Sequence, residues 1–254
     1  MLVPAPAGWP RVEVVRTVDA PSHRPFLLDD DRAEVTFANG GSMTVEREPA
    51  RVTFAMQERL STEELLHPYL AYAAGIFARW AGRLSFHAGA VLVGDNVWAL
   101  LGDRESGKSS TLAWLALEGC GVLCDDVLVL DGTTAFAGPR IVDLRAETAV
   151  RLGAGERMGV VGARERWRLR GGDVSAEASL TGLVFLAWGD RVEIAPLPAS
   201  ERVVRLAREL MLRIAPRDPG ALLGLASLPC WELRRPRGLD SLAEAGGLLL
   251  RTVG

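Results

Sequence analysis

The segment Gly102-Asp103-Arg104-Glu105-Ser106-Gly107-Lys108-Ser109 fits the pattern G-x-x-x-x-G-K-[ST] and constrains the fold more than any other stretch of the chain. Such a loop works only between a buried strand and a helix. Its glycines let backbone N–H groups curl around phosphate oxygens, and the helix N-terminus adds its positive dipole end. The flanks agree. Val97 to Leu101 is a near-continuous apolar run that reads as a strand, and a helix is expected from about Ser109 to Glu118, stopped by Gly119. Val122 to Cys124 and Val127 to Leu130 follow as short strands. Strand, loop, helix, strand predicts an α/β core with both sheet faces covered. At this chain's own Gly, Lys and Ser/Thr content, the pattern arises by chance in roughly one of a thousand such sequences. The residues expected to cradle phosphate are Gly102, Asp103, Arg104, Glu105, Ser106, Gly107, Lys108, Ser109 and Ser110. Lys108 would reach the β and γ phosphates, and the Ser109 hydroxyl could ligate Mg²⁺.

Composition sharpens the case for the lysine. Of 29 basic residues 28 are arginine, and Lys108 is the one lysine. Codon bias accounts for the arginines but not for the position of the exception. A wide planar guanidinium cannot replace a compact ammonium inside a phosphate cradle.

The remaining composition excludes whole classes. With 254 residues, 48% of them hydrophobic, the chain is long enough to bury a full core without disulfides or metal. A net charge of −3 gives no global basic excess, so no nucleic-acid partner is expected. The longest apolar stretch, Leu65 to Trp80, is interrupted by His67, Pro68 and Arg79 and reads as a buried helix, so no membrane partner is expected either. Met1 to Ala7 lacks the basic start of a signal peptide, and Cys120, Cys124 and Cys230 are odd in number. These features point to a reduced, cytoplasmic protein. Nothing in the sequence specifies an oligomeric state.

Residues 1–60 form the expected β-rich N-terminal subdomain, with strand-like runs at Val12 to Val15, Glu34 to Phe37, Met43 to Glu48 and Val52 to Ala55. Asn39-Gly40-Gly41 supplies a hairpin turn signal, and a small antiparallel layer is expected. Residues 61–254 form the expected catalytic domain. Ser61 or Thr62 followed by Glu63 and Glu64 marks a helix start. Phe86 to Val93, Leu183 to Trp188 and Val192 to Ala195 read as strands. Val203, Val204, Leu206, Ala207, Leu210, Met211 and Ile214 share one broad helical face, and a last helix is expected over Leu239 to Leu250.

Three further patterns carry chemistry. Asp125 and Asp126 end an apolar strand just after the loop's helix, where ligands collect in α/β sheets. In extended backbone, adjacent side chains point to opposite faces, so the two carboxylates should have different roles. His87 lies on the strand before the loop hairpin, where a lone histidine is more often a hydrogen-bonded core residue than a functional one. Arg164, Arg166, Arg168 and Arg170 alternate along a strand and would align four guanidinium groups on one face. That face could hold an acidic peptide or a carboxy-terminus, although charge runs are usually solvated faces.

Taken together, His87, the Gly102–Ser109 loop and the Asp125-Asp126 turn resemble the catalytic domain of the HPr kinase/phosphorylase family. His87 lies 15 residues before Gly102 and Asp126 lies 18 after Lys108, similar to the family's spacing. The resemblance is specific over about 84–132. Leu228-Pro229-Cys230-Trp231-Glu232-Leu233 and the final helix resemble short stand-alone members, some of which occur with ribosomal (including lasso) peptide biosynthesis and phosphorylate a serine hydroxyl. The resemblance implies a mixed β-sheet core flanked by helices and a serine kinase using ATP and Mg²⁺. It implies that Lys108 binds phosphates, Ser109 ligates Mg²⁺, Asp126 accepts the hydroxyl's proton, Asp125 supports the metal or positions that base, and His87 completes the site. The acceptor would be a peptide or protein with a free hydroxyl. The chain departs from the family where Arg104-Glu105 replaces Ser-Gly, and where the family's Glu-Ile-Arg-Gly-Leu-Gly metal signature is absent. Asp143 is the candidate replacement for that metal carboxylate. A small-molecule alcohol kinase and a catalytically silent nucleotide-binding regulator are the alternatives.

Overall fold

The computed structural model describes residues 9, 11–19, 26–38, 40–161, 164–214, 216 and 218–254. Met1 to Ala7 and Asn39 of the expected turn lie outside them. The architecture is mixed α/β, with three sheets and helices on both faces of the largest.

The N-terminal sheet holds β1 (Glu13–Val18), β2 (Leu27–Leu28), β3 (Arg32–Thr36), β4 (Ser42–Glu46) and β5 (Arg51–Met56). Their order is β1-β5-β4-β3-β2. β3 and β4 form the expected hairpin, with Thr36 opposite Ser42. The layer is not purely antiparallel, because β1 runs parallel to β5. Alternate residues Met43, Val45, Val52, Phe54 and Met56 turn inward at 5% exposure or less. They pack against Tyr69, Ala73, Ile76 and Trp80 of the following helical segment.

That segment is not one helix. Ser61 caps a single turn, Thr62–Glu64, by a reciprocal pair in which Glu64 N–H donates to Ser61 Oγ and Ser61 N–H donates to Glu64 Oε2. A widened turn, Leu65–Tyr69, follows before α1 (Leu70–Trp80). Pro68 keeps the residue before it out of the helical region, and His67 is extended at φ −154° and ψ 124°.

The main sheet contains β6 (Leu84–Phe86), β7 (Gly89–Val93), β8 (Asn96–Leu101), β9 (Gly121–Cys124), β10 (Leu128–Asp131) and β11 (Thr134–Phe136). A small second sheet, of order β12-β14-β13, contains β12 (Ile141–Leu144), β13 (Glu156–Val161) and β14 (Arg164–Arg170). β15 (Glu177–Trp188), β16 (Glu193–Pro196) and β17 (Cys230–Arg235) complete the main sheet. The helices are α2 (Lys108–Leu117), α3 (Ala146–Leu152), α4 (Ala199–Arg208), α5 (Pro219–Ala226) and α6 (Leu242–Val253). In β8 the side chains alternate between two cores. Val97, Ala99 and Leu101 face one with Leu206, Leu222 and Leu225, whereas Trp98 and Leu100 face the other with Leu112, Leu115 and Leu249. This period-two burial on both faces is why the run is apolar throughout.

Two sequence expectations are corrected here. The run Phe86 to Val93 is two strands in different parts of the sheet, with His87 and Ala88 in the link between them. The amphipathic helix stops at Arg208, so Leu210 instead bridges to Phe86, and Val204 is exposed. Among the described residues no helix is long and apolar enough to cross a membrane.

Candidate active site

Strand direction determines where the chemistry collects. β7 is antiparallel to both β8 and β9, so β8 and β9 run the same way. β15 is parallel to β8, and β17 is parallel to β15. The carboxyl ends of these four strands, Leu101, Cys124, Trp188 and Arg235, therefore share one edge. The glycine loop and the acidic pair both leave from it.

The loop is shaped by its glycines. Gly102 sits at φ 137°, where a Cβ would fall 2.6 Å from the Leu186 carbonyl oxygen. Gly107 sits at φ 92°, where a Cβ would fall 2.5 Å from Arg235 Nη2. Both positions demand glycine on conformation, and Gly102 on space as well, since its clash is with a backbone carbonyl. Glu105 also takes a left-handed φ, 67°, where the resembling family has glycine. Its exposed carboxylate pairs with Arg145. Ser106 Oγ is buried with no hydrogen-bond partner among the described residues. The Lys108 ammonium is buried and donates to the carbonyls of Gly102 at 2.5 Å and Asp103 at 3.1 Å. Burial pulls its pKa down from the usual lysine value.

The two aspartates diverge, although not as extended neighbours. Asp126 is in a left-handed turn at φ 76°. Asp125 faces the loop's helix, and Ser109 Oγ donates to its Oδ1 at 3.2 Å. Burial, reinforced by the Asp126 charge, pushes the Asp125 carboxyl up to about 7. Asp126 faces the histidines. His87 Nδ1 lies 3.1 Å from the Asp126 carbonyl oxygen and 3.3 Å from its Oδ1. His67 Nδ1 lies 3.8 Å from Asp126 Oδ2. Burial lowers the pKa of both imidazoles, so each favours its neutral form.

Asp143, the candidate second metal carboxylate, is engaged elsewhere. Both of its oxygens accept from Arg168, at 2.7 and 2.9 Å, with Arg166 3.6 Å away. The basic strand is not a solvated face: Arg168 is 1% exposed and also pairs with Glu63, and Arg166 is half-buried, while Arg164 and Arg170 are exposed. Ser110 lies on the far side of the first helical turn, its hydroxyl 3.3 Å from Thr148 Oγ1.

Sequence reasoning missed two residues at this centre. Glu209, just past the end of α4, is buried, and burial raises its pKa against the opposing pull of the Lys108 charge. Its backbone carbonyl accepts from the His87 N–H at 2.8 Å. A lone acid between the apolar positions Leu206 and Leu210 was the available signal. His67 was read only as an interruption of an apolar run.

The donor set suits a hard cation bound together with phosphate. Ser109 and Asp125 offer oxygen ligands, and a phosphate-bound Mg²⁺ takes one or two protein ligands and little else from the chain. Among the described residues no cluster of three His, Cys, Asp or Glu side chains that could hold a metal ion occurs. The glycine-shaped loop, the orphaned Ser106 hydroxyl and the buried ammonium fit an anion.

No protein-family model matches the chain, and no curated protein matches it. A solved structure, the HPr(Ser) kinase/phosphatase from Coxiella burnetii, is similar at 14% identity with a TM-score of 0.33, over 66% of this chain and 94% of that chain. The likeness is distant, and no residue role here rests on it.

Proposed function

We propose that this protein is an ATP- and Mg²⁺-dependent kinase that transfers the γ-phosphoryl group to a hydroxyl, by preference a serine, of a peptide or protein. One observation carries the reading. The glycine loop with Lys108, the Ser109–Asp125 hydrogen bond and the Asp126–His87 pair meet at a single edge of the main sheet. A phosphate cradle alone would serve a nucleotide sensor. A second carboxylate held apart from the metal-side one is what transfer to an alcohol needs.

In this reading Lys108 and the loop N–H groups hold the phosphates, and Ser109 and Asp125 hold Mg²⁺, which screens the phosphate charge. Asp126 accepts the acceptor hydroxyl's proton, and the His87 imidazole keeps its carboxylate aimed. Catalysis comes from positioning and charge neutralisation. The motif resemblance over 84–132 supports the same assignment, and the resemblance of Leu228 to Leu233 and the final helix to short stand-alone members extends it to peptide acceptors of the ribosomal, including lasso, type.

The test is incubation with ATP, Mg²⁺ and hydroxyl-bearing peptides, read by mass for a gain of one phosphoryl group. Transfer is expected to serine peptides and to fall at least 100-fold in Asp126→Asn, with nucleotide binding retained. Transfer only to small alcohols would replace the peptide assignment. Nucleotide binding with no transfer to any acceptor would make the protein a regulator and overturn the reading.

A further inference from the structure

A second cation lies beside the glycine loop, and the kinase reading gives it no task. Arg235 ends β17 at the same edge of the main sheet as the loop, and it is 4% exposed. Its Nη2 lies 2.5 Å from the point where a Cβ on Gly107 would fall. The Trp188 ring, through Cη2, lies 3.4 Å from the same point. Guanidinium and indole together cover the last glycine of the loop, immediately before Lys108.

The arginine is fixed in place rather than free to swing. Its guanidinium carbon stands 4.6 Å from the centre of the Trp188 ring. Nη1 donates to the Gly238 carbonyl at 2.5 Å, with the Pro236 carbonyl at 3.4 Å and Ser241 Oγ at 3.5 Å. Ser241 Oγ donates in turn to the Pro236 carbonyl at 3.1 Å, which ties together the turn that follows β17. One nitrogen of the fork is thus held by that turn, while the other is presented to the backbone of the loop.

What the group lacks is an opposing charge. Two arginines are buried among the described residues, and the other, Arg168, is matched by Asp143 and Glu63. Arg235 forms no ion pair with a carboxylate among the described residues; the oxygens around Nη1 are neutral. Burial lowers its pKa, and no acid opposes that shift. A buried charge is almost always paired, because leaving it alone is costly. The loop it faces is shaped for an anion and contains the Ser106 hydroxyl, itself buried and unpartnered among the described residues. A guanidinium presents planar, charged donors that suit phosphate oxygens.

We propose that Arg235 is a phosphate-binding residue of the nucleotide site, donating through Nη2 to the phosphate chain held by the loop beside Gly107. The phosphate charge is then the partner that the guanidinium lacks, and Lys108 and Arg235 grip the chain as two cations from separate elements, α2 and β17. The proposal deepens the kinase reading by adding a residue to its nucleotide site, but its substance is anion binding, which is measured without any transfer.

In the full chain with Mg²⁺ present, Arg235→Met lowers the affinity for ATP and for inorganic pyrophosphate by at least about tenfold each, measured by calorimetry, as expected on losing a hydrogen bond to a charged group. Arg235→Lys, which keeps the charge but not the fork, loses less. Unchanged affinity for both ligands in Arg235→Met overturns the proposal. A loss confined to ATP, with pyrophosphate binding intact, assigns Arg235 to the base or ribose and also overturns it. A second measurement does not depend on the Met variant folding. In wild-type protein, saturating pyrophosphate moves the Arg235 side-chain nitrogen signal, assigned by its disappearance in Arg235→Lys; a signal that stays in place overturns the proposal. Weakened binding of both ligands in Arg235→Met, with no transfer by the wild type to any acceptor, removes the kinase reading and leaves the phosphate site standing.

Discussion

Lys108 illustrates how one side chain ties composition to chemistry. Its ammonium is buried at the mouth of the loop, with backbone carbonyls at 2.5 and 3.1 Å as partners. A guanidinium would need a wider, planar space in a loop already closed by Leu186 and Arg235 around its glycines. Lys108→Arg is expected to abolish transfer, by at least 100-fold, while leaving the melting temperature within a few degrees; full activity would make the lysine's position accidental. Asp125 shows the opposite tension, between site and stability. Its carboxyl is raised to about 7 from an ordinary value near 3.8, chiefly by burial. The unfolded chain therefore releases this proton first, so the group favours unfolding increasingly as pH rises from about 4 to 7 and by a constant amount above that. Without Mg²⁺, Asp125→Asn is expected to raise the melting temperature by about 2–4 °C or more at pH 8 and to give no such gain near pH 3.5, measured by calorimetry.

Among the elements, β14 departs furthest from its sequence reading. Its alternating arginines share a face as strand periodicity requires, yet Arg168 lies fully buried between Asp143 and Glu63. Removing one partner from a buried pair strands the other charge, at a cost of about 3–5 kcal/mol, whereas replacing both with apolar groups is far cheaper. Arg168→Met is expected to cost that much in urea unfolding, and Arg168→Met combined with Asp143→Leu to recover most of it. A small loss in the single variant would show that water relieves Asp143. The segment 61–69 teaches a related point. Pro68 announced a break in the apolar run, but the sequence carried no sign that the break would bring His67 near Asp126 some sixty residues away. β8 and α2 were legible within a residue or two at each end, because a run apolar on both faces and a glycine loop leave few alternatives. α4 was overextended, because the apolar positions beyond Arg208 belong to a turn that bridges to β6.

Three apolar clusters divide the molecule: one on each face of the main sheet, and one between the N-terminal sheet and residues 60–80. The third includes no residue of the glycine loop but carries the segment bearing Glu63 and His67. Phe54→Ala, at a fully buried position of that cluster, is expected to destabilise the N-terminal layer by about 3–5 kcal/mol. Hydrogen exchange should rise in residues 32–56 and 61–80 while residues 97–124 keep their protection. Uniform loss of protection would instead show a single cooperative unit. By itself the sequence determined the α/β core, the glycine-shaped loop after β8 and the adjacency of the two aspartates, since these rest on local spacing, glycine conformation and the period of burial. Only the tertiary structure decided that Asp125 turns to Ser109 and Asp126 to two histidines, that a buried Glu209 comes near the Lys108 charge, and that the arginine strand is partly buried. Those outcomes depend on which distant segments a sheet edge brings together, and on left-handed turns and buried ion pairs whose partners lie tens of residues away along the chain.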